Sequence, residues 1–290
     1  MKTILVTGST GQLGNELLQL SHLEKDYRFE FVDRSQLNLA SEESVRDFFT
    51  NKTSSDYLSI INAAAYTAVD LAEKDKHSAE LVNVDGPRNL AQYAKSIGAK
   101  LIHVSTDFVF DGNHSRPYNE TDLKNPISVY GKTKSDGEDS VLEVNPDSII
   151  LRTSWVYSQF GKNFFNTIAR LSKEKESLRV VADQIGSPTW AGDLARVCFS
   201  AAISDQSGIF HFSNEGVASW YDFAYEIVRA FGYHCEVIPI ATEEYPTDAK
   251  RPAYSVLNKQ KFRKTFEVQN VHWKERLYRL VEEVKGQKLT

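Results

Sequence analysis

The sequence predicts an α/β fold, a doubly wound parallel sheet followed by a smaller mixed α/β unit, and three features predict it. A β-branched run, Thr3 to Thr7, opens the chain and passes through a glycine turn into a helical pattern. Strand-like and helix-like segments then alternate as far as Leu151, as parallel neighbours require, because each crossover between them is a helix. An acidic residue, Asp33, stands about 20 residues beyond the glycine turn, at the end of the second apolar run.

Taken in order, the first helix is expected over Asn15 to Leu20 and the second strand over Phe29 to Asp33. A helix follows the N-cap candidate Ser41, and a third strand fits Leu58 to Ala63, ending in the small-residue run Ala63-Ala64-Ala65. Ala79 to Ile97 has helical spacing and stops at Gly98, a suitable C-cap, before the strand Lys100 to Ser105. Another helix begins near Tyr130, and Ile149 to Leu151 reads as a buried strand. Beyond Trp155 the alternation loosens. A helix from Phe164 to Lys173, strands at Arg179–Val181 and Ile209–Phe212, a helix from the N-cap Ser219 to Phe231-Gly232 and an amphipathic helix from Val271 to Val284 are expected among loops rich in Ser, Gly and Pro. This pattern divides the chain into a Rossmann-type dinucleotide-binding domain, residues 1–157, and a mainly substrate-binding domain, residues 158–290. Segments around 178–213 are expected to return to the first, leaving a cleft between the two halves.

With 290 residues, 41% of them hydrophobic, the chain can bury a large core. The net charge of −5 comes from interspersed charges without a basic stripe, which argues against nucleic acid as a partner. The opening apolar stretch ends at Gly8, too short for a signal peptide or a membrane span, so a cytoplasmic location is expected. Cys198 and Cys235 lie in apolar or aromatic surroundings at no metal-ligand spacing and read as buried reduced thiols. Asn-x-Ser/Thr triplets at Asn51, Asn113 and Asn119 carry no weight in a chain that is not exported.

Two groups of residues carry chemistry. Gly8-Ser9-Thr10-Gly11-Gln12-Leu13-Gly14 sits between the first strand and first helix, where glycines permit a tight turn and close approach of a pyrophosphate to the helix N-terminus. Asp33 is placed to accept from the adenine ribose hydroxyls, while the neighbouring Arg34 could pair with a 2′-phosphate, so NADPH and NADH both stay open. Tyr130 and Lys134, four residues apart, share one helix face, and an ammonium beside a phenol lowers its pKa toward the range useful for proton transfer. Ser105-Thr106-Asp107 ends the fourth strand, where open α/β sheets place ligand-binding groups.

On these motifs, with Asn62 to Asp70, Arg152 to Tyr157 and Asp183-Gln184-x-Gly186-x-Pro188-Thr189, the sequence resembles the extended short-chain dehydrogenase/reductase superfamily and, within it, the dTDP-4-dehydrorhamnose reductase family. The likeness spans nearly the whole chain. It implies an oxidoreductase that reduces the C4 keto group of dTDP-4-dehydro-6-deoxy-L-mannose to dTDP-L-rhamnose with NADPH or NADH. Tyr130 would donate the proton, Lys134 would hold the nicotinamide ribose and tune Tyr130, and Thr106 would hydrogen-bond the carbonyl oxygen. Gly8, Gly11, Gln12, Leu13, Gly14, Asp33, Ala65, Tyr66 and Thr67 would line the cofactor. Asp107, Trp155 and Arg251 would contact the nucleotide sugar, Arg251 through its diphosphate.

Some members of the family are metal-bridged dimers through glutamates. Glu16 fits one such position, but the other reads Gly192-Asp193, so no metal is expected, while a homodimer stays open. Two alternatives accompany this reading. One is a non-catalytic dinucleotide-binding subunit, as in a partner of methionine adenosyltransferase; the other is an epimerase or reductase of a different nucleotide sugar.

Overall fold

Strands β1 (Lys2–Thr7), β2 (Tyr27–Val32), β3 (Ser59–Asn62), β4 (Lys100–Thr106) and β5 (Ile149–Thr153) and a sixth, Gly208–His211, form one sheet in the computed structural model, which describes residues 2–50, 52 and 57–286. Met1, and Asn51 and Thr53 of the first Asn-x-Ser/Thr triplet, lie outside the described residues. The spatial order runs from Gly208–His211 through β5, β4, β3 and β1 to β2, and every pairing is parallel. Chain order reverses between β1 and β3, and a crevice opens at such a switch point beyond the carboxyl ends of the strands. This is the α/β architecture expected from the sequence.

Side chains alternate across each strand, so a sheet covered on both faces needs strands that are apolar throughout. Ile4 and Val6 pack on one face with Leu17 of helix α1 (Gln12–Ser21), and on that side the helix Ala191–Ala202 covers the sheet. Leu5 points the other way, toward Val45 of α2 (Glu42–Phe49). Ser41 caps α2, its side chain accepting from the Ser44 N–H. After the short helices α3 (Val69–Ala72) and α4 (Lys76–Glu80), α5 (Gly86–Ser96) and α6 (Val129–Val144) complete the second layer, with Leu90 and Val141 buried against the sheet.

The smaller unit has its own core. Ser177–Val181 pairs in parallel with Glu236–Ile240, and Phe223, Trp273 and Leu277 from the helices Trp220–Phe231 and Trp273–Gly286 bury together with Phe165. A capping box between Ser219 and Asp222 starts the first of those helices, where Ser219 was expected as N-cap. Of the segments around 178–213, Gly208–His211 is an edge strand of the large sheet, whereas Ser177–Val181 belongs to the small one.

Among the elements that depart from the sequence pattern, three show why. The helix Ala191–Ala202 is buried nearly all round and so shows little amphipathic period. The strand Glu236–Ile240 contains Pro239, which argues against a strand unless it pairs on one side only, as here. The helix expected from Ala79 starts at Lys76, behind the N-cap Asp75, and carries one π turn at Leu81–Asp85.

Candidate active site

At the switch point the chain turns so tightly that no side chain fits. Gly8 has φ +69°, and a Cβ there would lie 2.7 Å from the Ala64 nitrogen at the end of β3. A Cβ on Gly14 would lie 2.4 Å from the Gly8 carbonyl oxygen and 2.6 Å from Ser9. No side chain caps α1, whose N-cap is Gly11, so its first N–H groups stay available to an anion. The loop opens on a cavity of about 880 Å³, also lined by Ala65, Tyr66 and Thr67. A dinucleotide fits this cradle by size and by donor chemistry.

The acidic residue after β2 is engaged by its own turn. Asp33 Oδ1 accepts from the Ser35 N–H at 2.8 Å and from the Ser35 hydroxyl at 2.6 Å, and these bonds hold its carboxyl below the usual range. The neighbouring Arg34 lines the cavity.

Tyr130 and Lys134 both line the cavity from the first turns of α6, which Ser128 caps by accepting from the Gly131 N–H. The lowering expected from Lys134 is not what the site shows: burial pushes the Tyr130 phenol up to about 12, with a Thr106 hydrogen bond opposing and Asp107 adding to the rise. Burial lowers Lys134 to about 8 against the pull of Glu138. Lys134 Nζ donates to the Val104 carbonyl oxygen at 2.7 Å and lies 3.3 Å from His103 Nε2. Thr106, at the end of β4, donates to Asp107 Oδ1 at 3.0 Å and accepts from the Phe108 N–H. Asp107 is 2% exposed, and burial lifts its carboxyl to about 6, opposed by hydrogen bonds from Ser255 and Thr106.

Beneath these groups Glu138 and Arg152, both buried, form a two-pronged pair at 2.9 and 2.7 Å. Ser105 donates to the same Glu138 oxygen at 2.5 Å, and Arg152 also reaches His211. The far wall is aromatic. Trp155, the single non-glycine residue with positive φ among the described residues, stacks on Trp220 with centroids 3.6 Å apart and planes within 5°. Arg251 reaches the cavity, but its fork is bound to Asp70, Nη1 to Oδ1 at 3.2 Å and Nη2 to Oδ2 at 2.7 Å.

Comparison with known proteins places this geometry. The RmlD substrate binding domain matches residues 1–285. A dTDP-4-dehydrorhamnose reductase of Aggregatibacter actinomycetemcomitans is 43% identical over 292 residues, covering 96% of this chain and 97% of the relative. The chain belongs to the dTDP-4-dehydrorhamnose reductase family. A solved dTDP-4-dehydrorhamnose reductase from Clostridium acetobutylicum is similar at 41% identity and TM-score 0.93, covering 98% of this chain and 99% of that one. Another from Bacillus anthracis, solved in complex with NADP, is 37% identical with TM-score 0.92, covering 98% of this chain and all of that one.

Several residues around this site were given no role by the sequence reading, or a different one. Asn83, on the π turn, accepts the Tyr66 N–H at 2.8 Å and donates to the Tyr66 carbonyl and to Thr133 of α6, tying the Ala65–Thr67 segment to the helix that bears Tyr130. Asn62 and His103 are buried polar residues inside apolar strands, a mismatch that would have flagged them. Trp220 reads as an ordinary helix residue until Trp155 is seen against it. Glu16, matched to a metal-bridging position of the family, is buried and accepts from Ser158 at 2.6 Å. Among the described residues no three His, Cys, Asp or Glu side chains are grouped as a metal ion needs.

Proposed function

We infer that this chain is an NADPH-dependent dTDP-4-dehydrorhamnose reductase that converts dTDP-4-dehydro-6-deoxy-L-mannose to dTDP-L-rhamnose. The single observation that carries this is the convergence of Thr106, Tyr130 and Lys134 on one cavity with the glycine loop, in a chain that matches reductases over almost its full length. Arg34 at the cavity favours a cofactor with a 2′-phosphate, as does the NADP bound to the Bacillus anthracis relative. Gly8, Gly11, Gln12, Leu13 and Gly14 would hold the pyrophosphate, and Ala65, Tyr66 and Thr67 would line the cofactor. When bound, NADPH supplies the hydride that reaches C4 of the sugar.

Tyr130 is protonated across the neutral range and so is set to act as an acid. Its O–H donates to the C4 oxygen as that oxygen gains negative charge. Thr106 hydrogen-bonds the same oxygen after its hydroxyl turns from Asp107, and Lys134 steadies the phenolate left on Tyr130. Trp155 forms a wall against the sugar, with Asp107 beside its hydroxyls and Arg251 at the diphosphate once it leaves Asp70. Residues 1–157 would thus carry the dinucleotide and 158–290 mainly the sugar nucleotide. No helix among the described residues is long and apolar enough to cross a membrane, and a cytoplasmic location is part of the same proposal.

The test is loss of NADPH absorbance in the presence of enzymatically generated dTDP-4-dehydro-6-deoxy-L-mannose, run in parallel with NADH. Substrate-dependent oxidation with one NADPH consumed per sugar is expected. In Tyr130→Phe, kcat should fall by roughly 10²- to 10⁴-fold with NADPH binding retained. Tight NADPH binding without sugar-dependent oxidation would overturn the reading in favour of a non-catalytic subunit or another sugar nucleotide.

A further inference from the structure

Every cation lining the cavity has a place in the proposed chemistry but one. Arg34 meets the 2′-phosphate, Lys134 serves the reacting tyrosine, and Arg251 meets the diphosphate of the sugar nucleotide. The dinucleotide pyrophosphate is left with backbone N–H groups alone. Lys162 lines the same cavity as Gly11 and Gln12 but comes from the other half of the chain. The residue is exposed, and among the described residues its ammonium has no hydrogen-bond or ion-pair partner.

The loop that carries Lys162 is fastened to the helix that follows the glycine turn. It joins the strand Val156–Tyr157 to the helix Phe164–Glu174. Two side-chain amides hold its turn: Asn163 donates to the Ser158 carbonyl oxygen at 2.8 Å, and Asn166 donates to that of Gly161 at 2.9 Å. Ser158 also donates to Glu16 of α1, and Asn163 Nδ2 lies 2.8 Å from Gln12 Oε1. A Cβ on Gly161 would lie 3.6 Å from Gln12 Cγ. The residues on either side of Lys162 therefore both rest against Gln12, the first residue of α1. The lysine between them starts its flexible four-carbon stem beside the end of that helix.

We propose that Lys162 is a cofactor-binding residue whose ammonium pairs with the pyrophosphate of the dinucleotide, so that the second half of the chain closes the cradle built by the first. The contact presupposes the dinucleotide of the proposed function and adds a residue to its site. A pyrophosphate carries two negative charges, whereas a helix N-terminus offers the equivalent of about half a positive one. The balance calls for a cation. An exposed ammonium with no carboxylate to leave gives up only water to reach a phosphate, whereas Arg251 must first part from Asp70. Gln12 and Glu16 hold the loop before the cofactor arrives, so binding has only the lysine side chain to order. The sugar nucleotide brings a second diphosphate to the cavity, but the rest of the loop against Gln12 favours the dinucleotide. Since NADPH and NADH share the pyrophosphate, Lys162 strengthens both alike, and the preference between them falls to Arg34.

The test is calorimetric binding of NADPH, NADH, adenosine 2′-monophosphate and dTDP to the full chain and to Lys162→Gln, which removes the charge and leaves the amide bonds of the loop in place. The Kd for NADPH and for NADH is expected to rise by the same factor, about three- to tenfold. Adenosine 2′-monophosphate, which has no pyrophosphate, and dTDP should bind as before, and Lys162→Arg should keep most of the dinucleotide affinity. Arg34→Gln gives the contrast, weakening NADPH and adenosine 2′-monophosphate but not NADH. Unchanged dinucleotide affinity in Lys162→Gln overturns the proposal. An equal loss for adenosine 2′-monophosphate would reveal a field effect with no contact, and a loss confined to dTDP would move Lys162 to the sugar nucleotide; either result also overturns it. If the unaltered chain bound neither dinucleotide, the proposed function would fall first, an outcome distinct from a variant that binds as well as its parent.

Discussion

On one side of the cleft, Gly8, Asn62, Thr106 and Lys134 project from strand ends or from a capped helix, and each is held by neighbours that are themselves buried. On the other side, Trp155 sits at φ +48° in a turn, Trp220 is the first residue of its helix, and Arg251 follows an irregular stretch joined to the first half by exposed ion pairs. The first wall is stiff because its polar groups have partners fixed by the backbone register of β1, β3 and β4. The second is set by side-chain stacking and a surface-type salt bridge, both inexpensive to rearrange. Transfer chemistry needs fixed geometry, whereas admission of a nucleotide sugar needs a wall that can yield.

If that contrast is right, damage to the first wall should be several times costlier than damage to the second. The largest effect is expected for Glu138→Gln, which leaves the buried Arg152 guanidinium without its counter-charge and should lower unfolding free energy by about 3–5 kcal/mol, read as a fall in the urea midpoint. A loss below 1 kcal/mol would show that the region beneath β4 and β5 is as forgiving as the loops.

Next comes Asp107. Its carboxyl lies at about 6 in the folded protein, above the ordinary 3.8, so folding disfavours its charged form. Below pH 3.8 both states are protonated and no penalty exists. As pH rises to about 6, the unfolded chain ionises first and stability falls, by roughly 3 kcal/mol at most, then levels off. Asp107→Asn should remove this part of the pH dependence of stability between about pH 4 and 6. An unchanged slope would mean that the folded carboxyl is solvated after all.

On the opposite wall, Trp220→Ala removes the stack beneath Trp155, worth about 0.5–1.5 kcal/mol beyond burial. The expected result is a KM for the sugar nucleotide raised several-fold with NADPH binding unchanged; a matching loss in NADPH binding would erase the distinction between the two walls. The smallest effect belongs to Asp70→Asn. Its pair with Arg251 is partly exposed and should contribute no more than about 1 kcal/mol to stability, while freeing Arg251 for the diphosphate should tighten sugar-nucleotide binding modestly. Weaker binding would show that Asp70 holds Arg251 in its working position.

The same division marks what could be read in the chain. Gly8, Gly14 and the β-branched first strand announce a dinucleotide cradle because a tight turn and close helix approach tolerate few residue types. Tyr130 and Lys134 are legible because four residues on a helix make one face. Asp33 shows the limit: its place at the end of β2 was legible, but not the hydrogen bonds by which Ser35, two residues on, engages its carboxylate. Arg251 shows it again, since its link to Asp70 spans 181 residues of sequence.

By itself, then, the sequence determined the alternation of strand and helix, the glycine loop and the pairing of Tyr130 with Lys134, all of them products of local sterics and of periodicity along a single element. Tertiary structure alone decided that Thr7, Asn62 and His103 meet under Lys134, that Asn83 clamps Tyr66, and that Trp155 stacks on Trp220. Those contacts join residues that no spacing rule connects. Each donor and acceptor found its partner only when β1, β3 and β4 came into register and the helices closed over them, because a buried polar group is stable only where another chain segment satisfies it.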